Sequence, residues 1–356
     1  MEKSQPLVSI ICTSYNYAAY IAQAFDGFLA QKTSFPFEII VVDDCSTDHS
    51  MEIIEGYKNQ YPDLFRVFVN DSNQGITKTW LAICQEARGK YIARCDADDY
   101  WIDPYKLQKQ VDLLENSADS RWCNTEFNIV DEENKVIHPS VFANGPIAYA
   151  NTYEKMLATK GMTLTSSWLV ESDLMREVNA LVDPEAVDDG FPMQLEFFKR
   201  TRLSYIAEPT VAYRMTQNSD SRPQSEEKAL WRINGLLATQ LTYIDKYPEQ
   251  DMTEMVKLLV KQDAKQEERI YHFGQAIHGL NEQIRQQSLQ QEHLRQHIAE
   301  LEQAKMDLNQ EKEDWQSQYH QLKHQYEQLW TQYNGVISSR RWTIPTKLIN
   351  MFRRKK

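Results

Sequence analysis

The sequence predicts an α/β fold with a mostly parallel sheet, continued on its C-terminal side by a long coiled-coil helix. Three observations carry this expectation. Between residues 7 and 125, short β-rich apolar runs alternate with helical patterns. Each run hands over to a polar or acidic loop. From Ile270 onward, apolar residues return in a seven-residue repeat. Strands that are apolar throughout, with helices between them, belong to a parallel sheet covered on both faces.

The first strand pattern is Leu7 to Cys12, closed by the loop Thr13-Ser14-Tyr15-Asn16, and helical periodicity covers Ala18 to Ala30. The second run, Phe37 to Val42, ends in Asp43-Asp44-Cys45-Ser46-Thr47-Asp48, and a helix pattern follows through Tyr57. A strand at Phe65 to Val69, a helix at Lys78 to Arg88 and a strand at Tyr91 to Arg94 complete the alternation. In such sheets ligands bind beyond the carboxyl ends of the strands, where the acidic loops sit here. The stretch 126–260 is less regular. Asp131 to Lys135 reads as a hairpin turn between Glu126–Val130 and Val136–Ile137, and Gly145-Pro146 and Asp188 to Pro192 break the chain into short elements. Leu230 to Leu259 reads as mostly helical, interrupted at Pro248.

With Ile270 as position a, sixteen of the twenty a and d positions up to Val336 are apolar, and the residues between them are mostly Gln, Glu, His and Lys. A lone amphipathic helix drifts off a strict seven-residue repeat, so the pattern predicts a coiled coil about 100 Å long. Ile at a with Leu at d in its first half favours a parallel dimer, while Tyr319, Tyr326 and Tyr333 at a leave a trimer open. The alternative is one long helix folded back on the globular part. The expected organisation is a globular domain over 1–225 (halves 1–125 and 126–225), a helical connector over 226–262, the coiled coil over 263–337 and a basic tail over 338–356.

The 356 residues hold 39 basic and 51 acidic side chains, a net charge of -12, which argues against a nucleic-acid binder. Charge is unevenly placed: Gly335 to Lys356 carries seven Lys and Arg and no acid, so the rest carries -19. Trp342, Ile344, Leu348, Ile349, Met351 and Phe352 lie among those cations. The combination suits an interfacial anchor on anionic lipid, with a merely solvated basic end as the alternative. Mean hydropathy is -0.61, and no apolar run approaches the ~18 residues of a membrane span. The opening MEKSQPLVSIIC is not read as a secretory signal. Five cysteines, all within the first 123 residues and without metal-ligand spacing, read as reduced thiols of a cytoplasmic protein.

The chemistry-bearing motif is Asp96-Ala97-Asp98-Asp99 after the strand Tyr91–Arg94. Three carboxylates in four residues repel unless a cation sits among them, and hard oxygen ligands suit Mn²⁺ or Mg²⁺ bridged to substrate phosphates. An acidic turn that only solvates a strand end is the alternative. An EF-hand is excluded, because Tyr100, Trp101 and Leu107 stand where its fifth ligand, glycine and glutamate belong. No glycine-rich dinucleotide fingerprint or P-loop is present. A nucleotide can instead be held by Thr13 to Asn16 and by Asp43-Asp44, with Tyr15 stacking on a base.

Val8 to Asn16, Ile40 to Asp48, Asn73-Gln74-Gly75 and Asp96 to Asp99 together resemble the family-2 inverting glycosyltransferases of bacterial surface-polysaccharide type, over about residues 6–220. The resemblance implies a glycosyltransferase A-type, nucleotide-diphosphosugar-binding fold, a bound Mn²⁺ or Mg²⁺ and transfer of one sugar with inversion. It implies that Thr13, Tyr15, Asn16 and Asp44 hold the nucleoside. It also implies that Asn73 and Gly75 lie beside the donor, that Asp96 serves ribose and metal, and that Asp98 binds the metal with Asp99 as its rival. The family's base lies in a loop before a helix, which points to Asp189 and, second, Asp188; capping of that helix is the alternative role. Gly190 departs from the usual Asp-aromatic-Pro pattern and leaves the two acids in competition. Tyr213-Arg214 lacks the metal-binding His that often follows in the family, which leaves the third protein ligand unassigned, with water, Ser219 or Asp220 as the substitutes, and His138 reads as a surface turn residue. Gly161 to Ser167 resembles an acceptor-cleft wall. The donor expected is a nucleotide sugar, UDP-sugar favoured. The acceptor expected is a glycan, with lipid linkage suggested by the tail, at the inner face of the plasma membrane. The rival readings are a non-catalytic nucleotide-sugar-binding scaffold that recruits enzymes through its coiled coil, and a nucleotidyltransferase, which normally needs a basic glycine-rich loop absent here.

Overall fold

The computed structural model describes residues 5–145, 147, 149–216, 225–249 and 251–354. The β-rich runs become strands: β1 (Val8–Ser14), β2 (Phe37–Asp43), β3 (Phe65–Val69) and β4 (Tyr91–Arg94), all mutually parallel. Between them lie α1 (Ile21–Leu29), α2 (Ser50–Gln60) and α3 (Ile76–Ile83), the last followed by a 3-10 turn at Cys84–Glu86. Side chains alternate across the sheet with period two. Ile10, Cys12, Ile39 and Val41 join Phe25, Phe28 and Ile54 on one face, whereas Ile11, Ile40 and Val42 join Trp80, Trp168 and Met193 on the other. Both faces are therefore covered, which is why these runs are apolar throughout.

The second half is mixed in direction. In order come β5 (Tyr100–Trp101), α4 (Lys106–Glu115), β6 (Trp122–Val130), β7 (Val136–His138), α5 (Val141–Asn144), α6 (Tyr153–Thr159), a 3-10 turn at Thr165–Ser167, β8 (Leu169–Glu171), α7 (Ser172–Asn179), α8 (Gly190–Arg200) and β9 (Leu203–Arg214). The sheet order is β3-β2-β1-β4-β8-β6-β9-β5, with β7 paired to β6. β8 is antiparallel to both β4 and β6, while β6 and β9 run parallel. The hairpin at Asp131 to Lys135 is present, as β6 and β7, although β6 starts four residues earlier than its pattern suggested. Exposed His138 ends strand β7 instead of lying in the turn.

Three helices follow: α9 (Glu226–Lys246), α10 (Met252–Ser338) and α11 (Arg340–Arg353). The chain divides into two units, 1–265 and 266–356. The heptad region thus lies within one continuous 87-residue helix that begins eleven residues before the expected 263, so the connector contains α9 and the opening turns of α10. All sixteen apolar seam side chains of that helix are exposed. Among the described residues, no helix is long and apolar enough to cross a membrane.

Candidate active site

The carboxyl ends of β1, β2 and β4 place three loops together, and hydrogen bonds knit them. Asn16, held at φ 59, accepts the Thr47 backbone N–H at 2.7 Å and itself donates its own N–H to Ser46 Oγ at 2.9 Å. Asp44 is buried, and both carboxylate oxygens are engaged. One accepts from Asn70 Nδ2 at 2.7 Å and Gln74 N at 2.9 Å, and the other accepts from Gly75 N at 2.9 Å. Asp44 therefore folds the Asn73-Gln74-Gly75 loop onto the strand ends. Gly75 caps α3 at φ 82 and ψ 158, a region essentially reserved for glycine. Asn73 Oδ1 also accepts the Gly75 N–H, at 3.0 Å. Tyr15, in the loop after β1, is exposed.

The acidic loop is clasped from both sides. Asp96 accepts from Thr13 Oγ1 at 3.2 Å, from Arg94 Nε at 3.2 Å and from Thr165 Oγ1 at 3.3 Å. Asp99 is buried, accepting Ser166 Oγ at 2.5 Å on one oxygen and the Arg214 N–H at 2.9 Å on the other. The Arg214 guanidinium donates to the Asp98 carbonyl at 2.9 Å and lies over the rings of Tyr20 and Tyr100. Asp99 thus anchors the loop to β9 and the 3-10 turn. Asp98 is half-buried between, and burial, together with the charge of Asp96, pushes its carboxyl up to about 7.

Arg94 links this loop to α8. It is wholly buried, its guanidinium lies 4.3 Å from the Trp80 ring, and Nη1 donates to Asp189 Oδ2 at 2.5 Å. Asp189 and Asp96 are thereby brought to one arginine, although 93 positions separate them in sequence. Burial raises the Asp189 carboxyl above its ordinary value against the opposing charge of Arg94. Asp188 has a different geometry. Its Oδ1 accepts the Phe191 N–H at 2.8 Å, closing the first turn of α8, and its Oδ2 pairs with Arg232. Capping geometry therefore falls to Asp188, and the buried contact with the acidic loop falls to Asp189.

Among the described residues, no three His, Cys, Asp or Glu side chains converge as a self-sufficient metal site. A Mg²⁺ or Mn²⁺ ion that takes one or two carboxylates and completes its shell with phosphates and water needs less. Asp98 and Asp96 fit that demand, because their mutual repulsion is the kind a cation relieves. Ser219 and Asp220 lie outside the described residues. Two contributors were not singled out from sequence, Arg94 and Arg232, while Thr165 and Ser166, expected in a cleft wall, bond to the acids instead. Arg94 carried a signal, since strand alternation sets it and Asp96 on the same side.

Residues 9–168 match the family model described as Glycosyl transferase family 2. An uncharacterized protein of Mycobacterium tuberculosis is 42% identical over 126 residues, which is 35% of this chain and 36% of that protein. The putative teichuronic acid biosynthesis glycosyltransferase TuaG of Bacillus subtilis is 36% identical over 115 residues, or 32% of this chain and 44% of TuaG. The chain thus spans under half the length of either relative. The structure of S. aureus TarS with UDP-GlcNAc superposes with a TM-score of 0.53 at 19% identity, covering 71% of this chain and 70% of that one. GalNAc-T7 with UDP, GalNAc and Mn²⁺ gives a TM-score of 0.51 at 13% identity, covering 74% and 55%. At such identities the likeness speaks for the fold alone, and the chain has a glycosyltransferase A-type fold followed by a long C-terminal helix.

Proposed function

We propose that this chain is an inverting, divalent-metal-dependent glycosyltransferase of bacterial surface-polysaccharide synthesis. The observation that supports it most is the meeting, through Arg94, of the acidic loop at the end of β4 with Asp189 at the start of α8. Thr13, Tyr15, Asn16 and Asp44 with the Asn73–Gly75 loop receive the nucleoside diphosphate, a UDP-sugar in the favoured case. Asp98 and Asp96 hold Mn²⁺ or Mg²⁺, with Asp99 as their support. When bound, the ion offsets negative charge on the departing diphosphate. Asp189 accepts the proton of the acceptor hydroxyl, whose oxygen forms a bond to the anomeric carbon from the face opposite the leaving group. The bond between that carbon and the phosphate oxygen breaks, and its electron pair leaves with the nucleoside diphosphate. A single displacement of this kind inverts the centre. Arg94 keeps Asp189 aimed and partly compensates its charge.

The acceptor is a glycan carried on a lipid at the cytoplasmic face of the membrane, a reading supported by the exposed apolar side chains Ile344, Leu348, Ile349, Met351 and Phe352 among the cations of α11. The exposed seam of α10 pairs with a second copy to form a coiled-coil dimer. The test is release of nucleoside diphosphate from a panel of UDP-, GDP- and dTDP-sugars with Mn²⁺, with and without EDTA, in the wild type and in Asp189→Asn. Metal-dependent release from one donor, lost in the variant, supports the reading. Full release by Asp189→Asn in the presence of acceptor removes Asp189 as the base. Calorimetric binding of a nucleotide without release from any donor favours the non-catalytic scaffold, and absence of both release and binding refutes the nucleotide-sugar reading itself.

A further inference from the structure

The stretch matched by the family model ends at residue 168, yet α9, far beyond it, grips the loop that carries Asp188 and Asp189. Arg232 Nη1 donates to the Val187 carbonyl at 3.3 Å, and its Nη2 pairs with Asp188 Oδ2. One turn on, α9 comes so close that a Cβ on Gly235 would stand 2.4 Å from Val187 Cγ1. A glycine inside a helix is less favourable than an alanine, and here the missing Cβ is what permits the approach. At its other end α9 is fixed to the same helix, α8. The buried Glu196 carboxylate accepts Lys246 Nζ at 2.6 Å and the Tyr247 hydroxyl at 2.7 Å, and the Tyr243 hydroxyl reaches the Pro192 carbonyl at 3.4 Å.

We propose that α9 is a splint on α8 and that Arg232 is a positioning residue, acting through Asp188 to set where Asp189 stands; the catalytic part of this rests on the reading above. The geometry explains how. Asp188 is held twice, by Arg232 on one oxygen and by the Phe191 N–H on the other, while its neighbour Asp189 is held by Arg94 from the sheet. The two neighbouring acids are therefore each held by a different arginine, one from α9 and one from β4, so the peptide between them is tied at both ends. Without Arg232, the first turn of α8 loses its outer anchor, and the Asp189 side chain is left to its bond with Arg94. A displacement of about 1 Å at a reacting group costs on the order of a hundredfold in rate. Gly235 and Arg232 act as a pair, one allowing the approach and the other bonding across it.

The test uses the full chain with Arg232→Ala, Arg232→Lys and Gly235→Val. Arg121→Ala, which removes the Arg121–Glu171 ion pair at the start of β6, serves as a comparison for general destabilisation. In Arg232→Ala, kcat falls roughly ten- to a hundredfold with donor KM unchanged, Arg232→Lys recovers most of the loss, and Arg121→Ala leaves kcat as it was. Hydrogen exchange supplies a readout independent of turnover: the Phe191 amide loses protection in Arg232→Ala and in Gly235→Val, while β1 and β2 stay protected. Unchanged kcat in Arg232→Ala, or a loss equal to that of Arg121→Ala, overturns the positioning role. Unchanged protection at Phe191 overturns the splint itself, and does so even if the wild type transfers no sugar.

Discussion

Replacing Arg94 by Met tests the centre of the site most directly. The substitution keeps a long unbranched side chain over Trp80 but deletes the charge that Asp96 and Asp189 share. The Arg94 side chain is 2% exposed and that of Asp189 7%, whereas Asp96 is 21% exposed. Asp96 can regain some water, so most of the penalty falls on Asp189. Removing one partner of a buried pair costs about 3–5 kcal/mol, a large part of the roughly 5–15 kcal/mol that a domain of ordinary size has. With a urea slope near 3 kcal/mol/M, the midpoint falls by about 1–1.7 M. The sign of the pH dependence follows from the acid left behind. Burial already raises the Asp189 carboxyl against the opposing charge of Arg94, and deleting the arginine raises it further. The charged form is then the destabilised one, so the deficit is largest at pH 8 and shrinks as pH falls through the new value and the group takes up a proton. Adding Asp189→Asn to Arg94→Met recovers more than half of the loss at pH 8. Urea melts followed by tryptophan fluorescence at pH 5 and 8 give all three quantities. A deficit under about 1 kcal/mol, or one equal at both pH values, refutes the argument that Arg94 stabilises this acid pair.

Mn²⁺ binding to the wild type, measured by calorimetry, strengthens up to about tenfold per pH unit below 7 and levels off above it, because Asp98, pushed up to about 7, must lose its proton to bind; a flat profile between pH 6 and 8 refutes Asp98 as ligand. Gly75→Ala costs about 1–3 kcal/mol through its backbone region and, on the proposed donor role of the Asn73–Gly75 loop, weakens UDP binding in a titration, since the bond from the Gly75 N–H to Asp44 shapes that loop; unaltered affinity refutes the role. Ile298→Glu with Leu301→Glu places charges at adjacent a and d positions of the exposed seam and converts a dimer into a 41.8 kDa chain in light scattering. A wild type that already runs at the single-chain mass refutes the coiled-coil dimer.

The parallel half of the fold was legible because its signal is local. Ile10, Ile11 and Cys12 are all buried, on alternate faces, so the run shows uninterrupted hydrophobicity whichever helix covers it. The acidic loop was legible for the same reason, since Asp96, Asp98 and Asp99 are adjacent in the chain. β9 was not. Pro209 and Glu208 interrupt its apolar pattern, and the strand survives them because its pairing with β6 shifts register around Glu126. A register shift depends on the partner strand and leaves no mark in either segment alone.

The division of labour among the acids also lay outside the sequence. Asp96, Asp98 and Asp99 are equivalent as letters, and only the hydroxyl of Ser166 and the backbone of Arg214 make Asp99 an anchor. The segment Gly161 to Ser167, expected as a cleft wall, sends Thr165 and Ser166 into the acidic loop. Asp188 and Asp189 were left in competition until two arginines from different elements separated them. Composition and periodicity fix which segments must be buried and which loops carry charge, because these are properties of single segments. Which carboxylate caps, which anchors and which meets the arginine of β4 depends on cations, hydroxyls and a backbone amide from elements 44 to 115 residues away, and only folding brings those within reach.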